Sequence, residues 1–133
     1  VICSGPFVES LLPASVSVDS CVVGAAWRKE RMLGTHAALL SGGADADWLE
    51  GWCLSFTKAA WKRTGGFDES LVMYFSDLDF QSRAFSCGVC LGRSGNLPLH
   101  HLGHQTTHNT PGIWGQWHKD RATFKRKLEA MAR

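Results

Sequence analysis

From Val16 to Ala26 the chain reads VSVDSCVVGAA, a run of β-branched and small apolar residues that predicts a buried strand. Trp27 to Leu40 is mixed and predicts a helical start, and SGGADAD at Ser41–Asp47 is a polar, turn-rich loop. Alternation returns at Trp52–Thr57, a second strand, and KAAWKRTGG follows as a short helix closed by glycine. The strongest helix pattern is Asp77–Cys87. Ser76 stands at its N-cap, and Asp77 and Asp79 lie in the first turn, where the helix dipole favours negative charge. Leu78, Phe80, Ala84 and Phe85 form its apolar stripe, Gln81, Ser82 and Arg83 its polar side, and Gly88 its stop. VCLGRSGNLPLHHL then gives two short extended pieces about a Ser-Gly turn, the second an edge or irregular strand because of Pro98. Gly115–Arg133 predicts a terminal helix, basic on one face, with Phe124, Leu128 and Met131 on the other.

Strands alternating with helices make the chain α/β, and three or four strands are few for a self-standing doubly wound sheet. At 133 residues the length suits one domain, 1–133. Apolar residues make up 44% and charged residues 20%, an ordinary globular composition, and the net charge of +2 gives no argument for nucleic acid. No apolar run is long enough to span a bilayer. The start, VICSGPFVESLL, lacks both a basic n-region and an initiator Met, which leads us to expect a fragment or a processed product. Five cysteines, Cys3, Cys21, Cys53, Cys87 and Cys90, are an odd number at irregular spacing, which suits a reducing compartment. Cys87 and Cys90 form a CxxC pair that lies between a helix stop and a strand, a context unlike that of a zinc ribbon or a thioredoxin site.

The candidate chemistry lies between the second strand and the histidines. The order is strand, short helix, Gly-Gly turn, FDES, the aromatic MYF, SDLD opening a helix, two short strands, then HHLGH. A carboxylate in the first turn of a helix can be dehydrated and aimed, which suits a general base taking a proton from a sugar or alcohol hydroxyl. A histidine at the end of the following strand is placed to ligate a divalent cation.

The stretch from Gly51 to Thr106 resembles the C-terminal half of a glycosyltransferase of family 2, with the GT-A fold. It supplies Gly51, Gly65-Gly66-Phe67-Asp68-Glu69, Tyr74-Phe75, Asp77-Leu78-Asp79-Phe80, Arg83, Gly88, Pro98 and His101, in that order. The resemblance implies a partial GT-A-like (Rossmann-like) three-layer domain without the N-terminal nucleotide-binding half. It also implies inverting transfer of a sugar from a nucleotide-sugar donor to a hydroxyl acceptor. By that likeness Asp77 is the general base, Asp79 orients the loop and acceptor, and His101 helps hold Mg²⁺ or Mn²⁺ on the diphosphate leaving group. Trp52, Trp48 and Tyr74 could stack on a sugar face.

Ser76 stands where the family has Glu, and the family's upstream Asp-x-Asp metal motif has no counterpart in its expected context. Asp45-Ala46-Asp47 spells the triplet in a Gly-rich loop, where solvation explains it better. His100, His101, His104 and His108 do not form a standard ligand set, and HLGHQT favours His101 over His100 as the family histidine. Without a donor half, the isolated chain is expected to be inactive, and a homo-oligomer or a missing N-terminal half would cover the exposed apolar surface. Trp114 and Trp117, beside the basic helix, could face a membrane surface or that missing half, although a solvated basic face is the simpler account. The expected location is cytoplasmic, with membrane association as a variant. The alternative function is a non-catalytic α/β binding or oligomerisation module; a small metal-binding protein using the histidine loop is a weaker third.

Overall fold

The computed structural model describes residues 2–3, 20–26, 49–94, 99–102 and 109–131. The expected helical start at 27–40, the loop carrying Asp45 and Asp47, Trp48, Pro98, His104 and His108 lie outside the described residues. Among the described residues five strands and three helices follow in order: β1 (Ile2–Cys3), β2 (Cys21–Ala26), β3 (Leu49–Phe56), α1 (Lys58–Thr64), α2 (Ser76–Ser86), β4 (Cys90–Ser94), β5 (Leu99–His100) and α3 (Ile113–Met131). The chain is α/β, as its pattern predicts.

The main sheet has the order β3-β2-β4, with β2 antiparallel to β3 and parallel to β4. Val22 and Val23, at the centre of β2, are fully buried, which explains the unbroken apolar run there. The β2–β3 register shifts between Gly24 and Ala26, so that Gly24 pairs with Leu54 but Ala26 with Leu49. This irregularity falls opposite Gly51 and Trp52, at the part of β3 that meets α2. A separate two-residue ladder joins β1 to β5.

Local chemistry sets the helix boundaries. Thr57 caps α1 by accepting a hydrogen bond from the Ala60 N–H, and Gly65 closes it in the left-handed conformation at φ 75°. At the end of α2, Gly88 N–H bonds to Phe85 O at 3.0 Å and Val89 N–H to Ala84 O at 2.9 Å. With Gly88 at φ 68°, this is a Schellman termination, and its hydrophobic contact is supplied by the buried Val89 and Ala84. The start of α2 departs from expectation. Phe75, not Ser76, is the N-cap; it sits at φ 66° without a side-chain capping bond, and Ser76 is already helical.

Two apolar clusters sandwich α2. The first joins Val22, Leu49, Ala60, Phe80, Ala84 and Val89, with Leu54, Phe56 and Leu91 against it. The second joins Leu71, Phe75, Leu78 and Phe124, with Trp117 and Leu128 against it. Having neighbours on both sides buries residues that the sequence pattern assigns to a polar side: Gln81 is 0% exposed and Ser82 6%. Phe85, expected in the apolar stripe, is 62% exposed. An aromatic box of Phe56, Trp61, Phe67 and Phe80 closes the far end of the first cluster, with Phe67 and Phe80 centroids 4.9 Å apart.

Candidate active site

The first turn of α2 packs directly on β3. The Asp77 carboxyl lies against Gly51, whose backbone N–H hydrogen-bonds to it together with the amides of Leu78 and Asp77 itself. Desolvation by this packing pushes the Asp77 pKa up from its ordinary value, and the amide hydrogen bonds only partly counter it. Only a residue without a Cβ fits opposite. A Cβ on Gly51 would fall 2.6 Å from both Cβ and Cγ of Asp77.

One turn on, Gln81 fixes the same junction. Its Oε1 accepts the Leu49 N–H at 2.7 Å, and its Nε2 donates to Leu49 O at 3.0 Å and to Asp77 O at 3.1 Å. The primary amide thus acts as a short extra strand, satisfying both backbone groups of a fully buried residue. Gly51 is held at its distance from Asp77 by this clamp two residues upstream.

Asp79 turns the other way. Its side chain is fully buried, with Oδ2 on Arg83 Nη2 at 2.8 Å and Nε at 2.9 Å, and Oδ1 on Lys127 Nζ at 2.6 Å. Arg83 extends the network to Thr64 O and Gly66 O, and Lys127 also pairs with Asp68. The two carboxylates of SDLD are therefore separated: Asp77 faces β3 and Asp79 braces the Gly65–Gly66 turn from inside. Asp68 itself makes an Asx turn, accepting the Ser70 N–H at 2.8 Å. The bond from Lys127, aided by Ser70, holds its carboxyl well below the usual range.

Trp52 and His101, from β3 and the residue after β5, form a stack with centroids 4.9 Å apart and planes at 7°. Trp52 Nε1 donates to Glu50 Oε2, which fixes the indole. Tyr74 packs beside the second cluster, and its amide is bound by Asp120. Of the residues singled out in the sequence, Trp52 and His101 are thus in contact, while Asp77 contacts Gly51 and Asp79 lies in the interior. His101 offers one imidazole donor. Among the described residues no group of three or more His, Cys, Asp or Glu side chains converges on a cation position, so the described donors do not by themselves make a metal site. Cys87 and Cys90 are exposed free thiols.

Three residues outside the expected set hold this region together: Gln81, Lys127 and Asp120. Asp120 is 1% exposed on α3 and accepts from the amides of Val72, Met73 and Tyr74 and from Gln116. Its signal in the sequence is faint: a lone acid within HKDRATFKRK, four residues before Phe124 and four after Gln116, on the face that carries the apolar positions. Trp117 leans on Phe75 with centroids 5.7 Å apart and carries Arg121 over its ring, whereas Trp114 is 63% exposed. No helix among the described residues is long and apolar enough to cross a membrane.

No family model and no solved structure matches the chain significantly. Among curated proteins it is similar to the N-acetylglucosaminyl-diphospho-decaprenol L-rhamnosyltransferase of Mycobacterium tuberculosis, in both strain CDC 1551 / Oshkosh and strain ATCC 25618 / H37Rv. In each case identity is 33% over 85 residues, covering 58% of this chain and 25% of the relative. The chain thus matches about a quarter of the length of these relatives, and the similarity relates it to a glycosyltransferase.

Proposed function

We propose that the chain carries the acceptor side of an inverting glycosyltransferase of the family 2, GT-A type, with Asp77 as general base. The observation that carries this reading is the carboxyl of Asp77, packed against Gly51 in the first turn of α2 and raised in pKa by desolvation. A carboxylate whose pKa moves toward neutrality is a stronger proton acceptor, and a fixed one need not be reorganised as the acceptor hydroxyl attacks. The hydroxyl proton goes to the Asp77 carboxylate, the hydroxyl oxygen forms the new bond at the anomeric carbon, and the nucleoside diphosphate leaves with the electron pair of the old one. The Trp52–His101 stack, one residue further along β3, offers an aromatic platform for a sugar ring. Asp79 serves by bracing the Gly-Gly turn through Arg83. Similarity to a rhamnosyltransferase acting on a lipid-linked N-acetylglucosamine makes a deoxyhexose donor and a sugar-hydroxyl acceptor the first substrates to try. Mg²⁺ or Mn²⁺ with His101 as one donor stays part of the proposal: such a cation neutralises charge on a departing diphosphate, and no step above depends on it.

The test is nucleoside diphosphate release by the full chain from nucleotide-sugar donors with lipid-linked N-acetylglucosamine as acceptor. Asp77→Asn should lower the rate by about 10²–10⁴-fold with helix content unchanged. Equal turnover by wild type and Asp77→Asn would remove the base, and a wild-type chain silent toward every donor even with a donor-binding half supplied would remove the transferase reading. One observation favours the second reading, a non-catalytic module. Asp68 and Asp79, two of the acids in the resembling stretch, are both engaged by Lys127 as scaffold.

A further inference from the structure

We infer that Asp120 is a positioning residue for the general base: from α3 it sets the course of residues 72–75 and, through them, the aim of Asp77. Its catalytic consequence rests on the transferase reading; its structural content does not. Asp120 Oδ2 accepts the Met73 N–H at 2.9 Å and the Tyr74 N–H at 2.8 Å. Oδ1 accepts the Val72 N–H at 3.3 Å and Gln116 Nε2 at 2.7 Å. Three successive amides turned onto one anion form a nest, and here the anion is built into the chain. Burial alone would raise the Asp120 pKa, but the amides and Gln116 outweigh it and lower the pKa, so the group stays ionised.

The segment needs such a hold because Phe75, at its end, takes a left-handed backbone at φ 66°, a conformation that a residue with a Cβ adopts only at a cost. No side chain of its own caps the helix that it opens. The conformation is imposed from α3, by Asp120 on the amides before Phe75, and by Trp117 and Phe124 on its ring at 5.7 and 5.4 Å. The first helical bond then runs from the Asp79 N–H to Phe75 O at 2.8 Å, with Asp77 between them. Among the described residues, Glu50 is engaged with Trp52, and Asp79 with Arg83 and Lys127. The aim of Asp77 is thus set from two directions: by Gln81 and Gly51 on the β3 side, and by Asp120 on the α3 side.

The experiment compares wild type with Asp120→Asn, which keeps the shape but presents an NH₂ group to at least one of the converging amides. Carboxyl ¹³C NMR follows the Asp77 titration, and ¹⁵N spectra follow the amides of residues 72–75. We expect the Asp77 titration in the variant to move down toward the ordinary carboxylate range as its packing on Gly51 loosens, with shifts at all four amides. If the chain transfers sugar, its turnover should fall about 10²-fold with donor KM unchanged, the cost of a misplaced reacting group. An unchanged Asp77 titration beside a lowered melting temperature would overturn the proposal and leave Asp120 a purely structural residue. A wild-type chain that transfers nothing even with a donor-binding half supplied would end the transferase reading alone, since the NMR comparison still decides the positioning. If Asp120→Asn does not fold, amide exchange in the wild type decides: Met73 and Tyr74 should be as protected as the core of α3, and exchange at open-loop rates would overturn the inference.

Discussion

Gly51 and Asp77 are packed so closely that the first has no room for a side chain: its Cβ would lie 2.6 Å from the Cγ of the second. Gly51→Ala must therefore push the carboxyl off β3 or move the strand. Such overpacking costs about 1–3 kcal/mol. The expected outcome is a lower melting temperature with the Asp77 titration returned toward its ordinary value. A Gly51→Ala protein with wild-type stability and titration would contradict the packing.

Asp77 also leaves a signature in the pH dependence of stability. Its folded pKa lies above the unfolded value, so between the two the native chain holds a proton that the unfolded chain has lost. Stability from this group therefore falls as pH rises through that window and is level above it. Asp77→Asn does not titrate. Its stability relative to wild type should improve from acid to neutral pH, measured by urea denaturation across the range. Asp120 has the opposite sign: its folded pKa is lowered, so its contribution is present above the usual carboxylate range and is lost as pH falls through the folded value.

Gln81→Leu should be costly despite its near-equal volume. It orphans the N–H and C=O of a Leu49 that is 0% exposed, at about 1–3 kcal/mol for each group. Equilibrium denaturation checks the stability loss, and faster exchange of the Leu49 amide identifies its source.

Lys127→Met removes one of the two cations on the fully buried Asp79. A buried carboxylate stripped of a partner costs about 3 kcal/mol or more, and added salt should restore little of it because the site is dry. A loss below about 1 kcal/mol, the scale of an exposed pair, would mean that Arg83 alone neutralises Asp79.

Turn and cap chemistry made much of this fold legible in the sequence. Gly65 and Gly88 mark their helix ends because a left-handed backbone favours glycine, and the alternation in β3 and the run in β2 give the sheet. The start of α2 was less legible. Ser76 is the better capping residue by type, yet Phe75 takes the position because its ring is captured by Phe124 and Trp117, residues of a helix far along the chain. The polar side of α2 misled for the same reason: periodicity assigns one solvent face, whereas α2 has apolar neighbours on two sides and encloses Gln81 and Ser82. Asp77 could be singled out by its place in a local motif. Asp120 could not, since three of its four partners are backbone amides that carry no residue-type signal and lie 46 to 48 residues away.

Two of the groups that neutralise or organise the acidic corner, Lys127 and Asp120, belong to α3. A ribosome making this polypeptide would release all five described strands and both shorter helices before it released either of them. Until then the interior acid would have only its arginine, and the aromatic turn ahead of it would have no anchor. The corner can take its final shape only once α3 has emerged, so its folding must trail that of the sheet during synthesis.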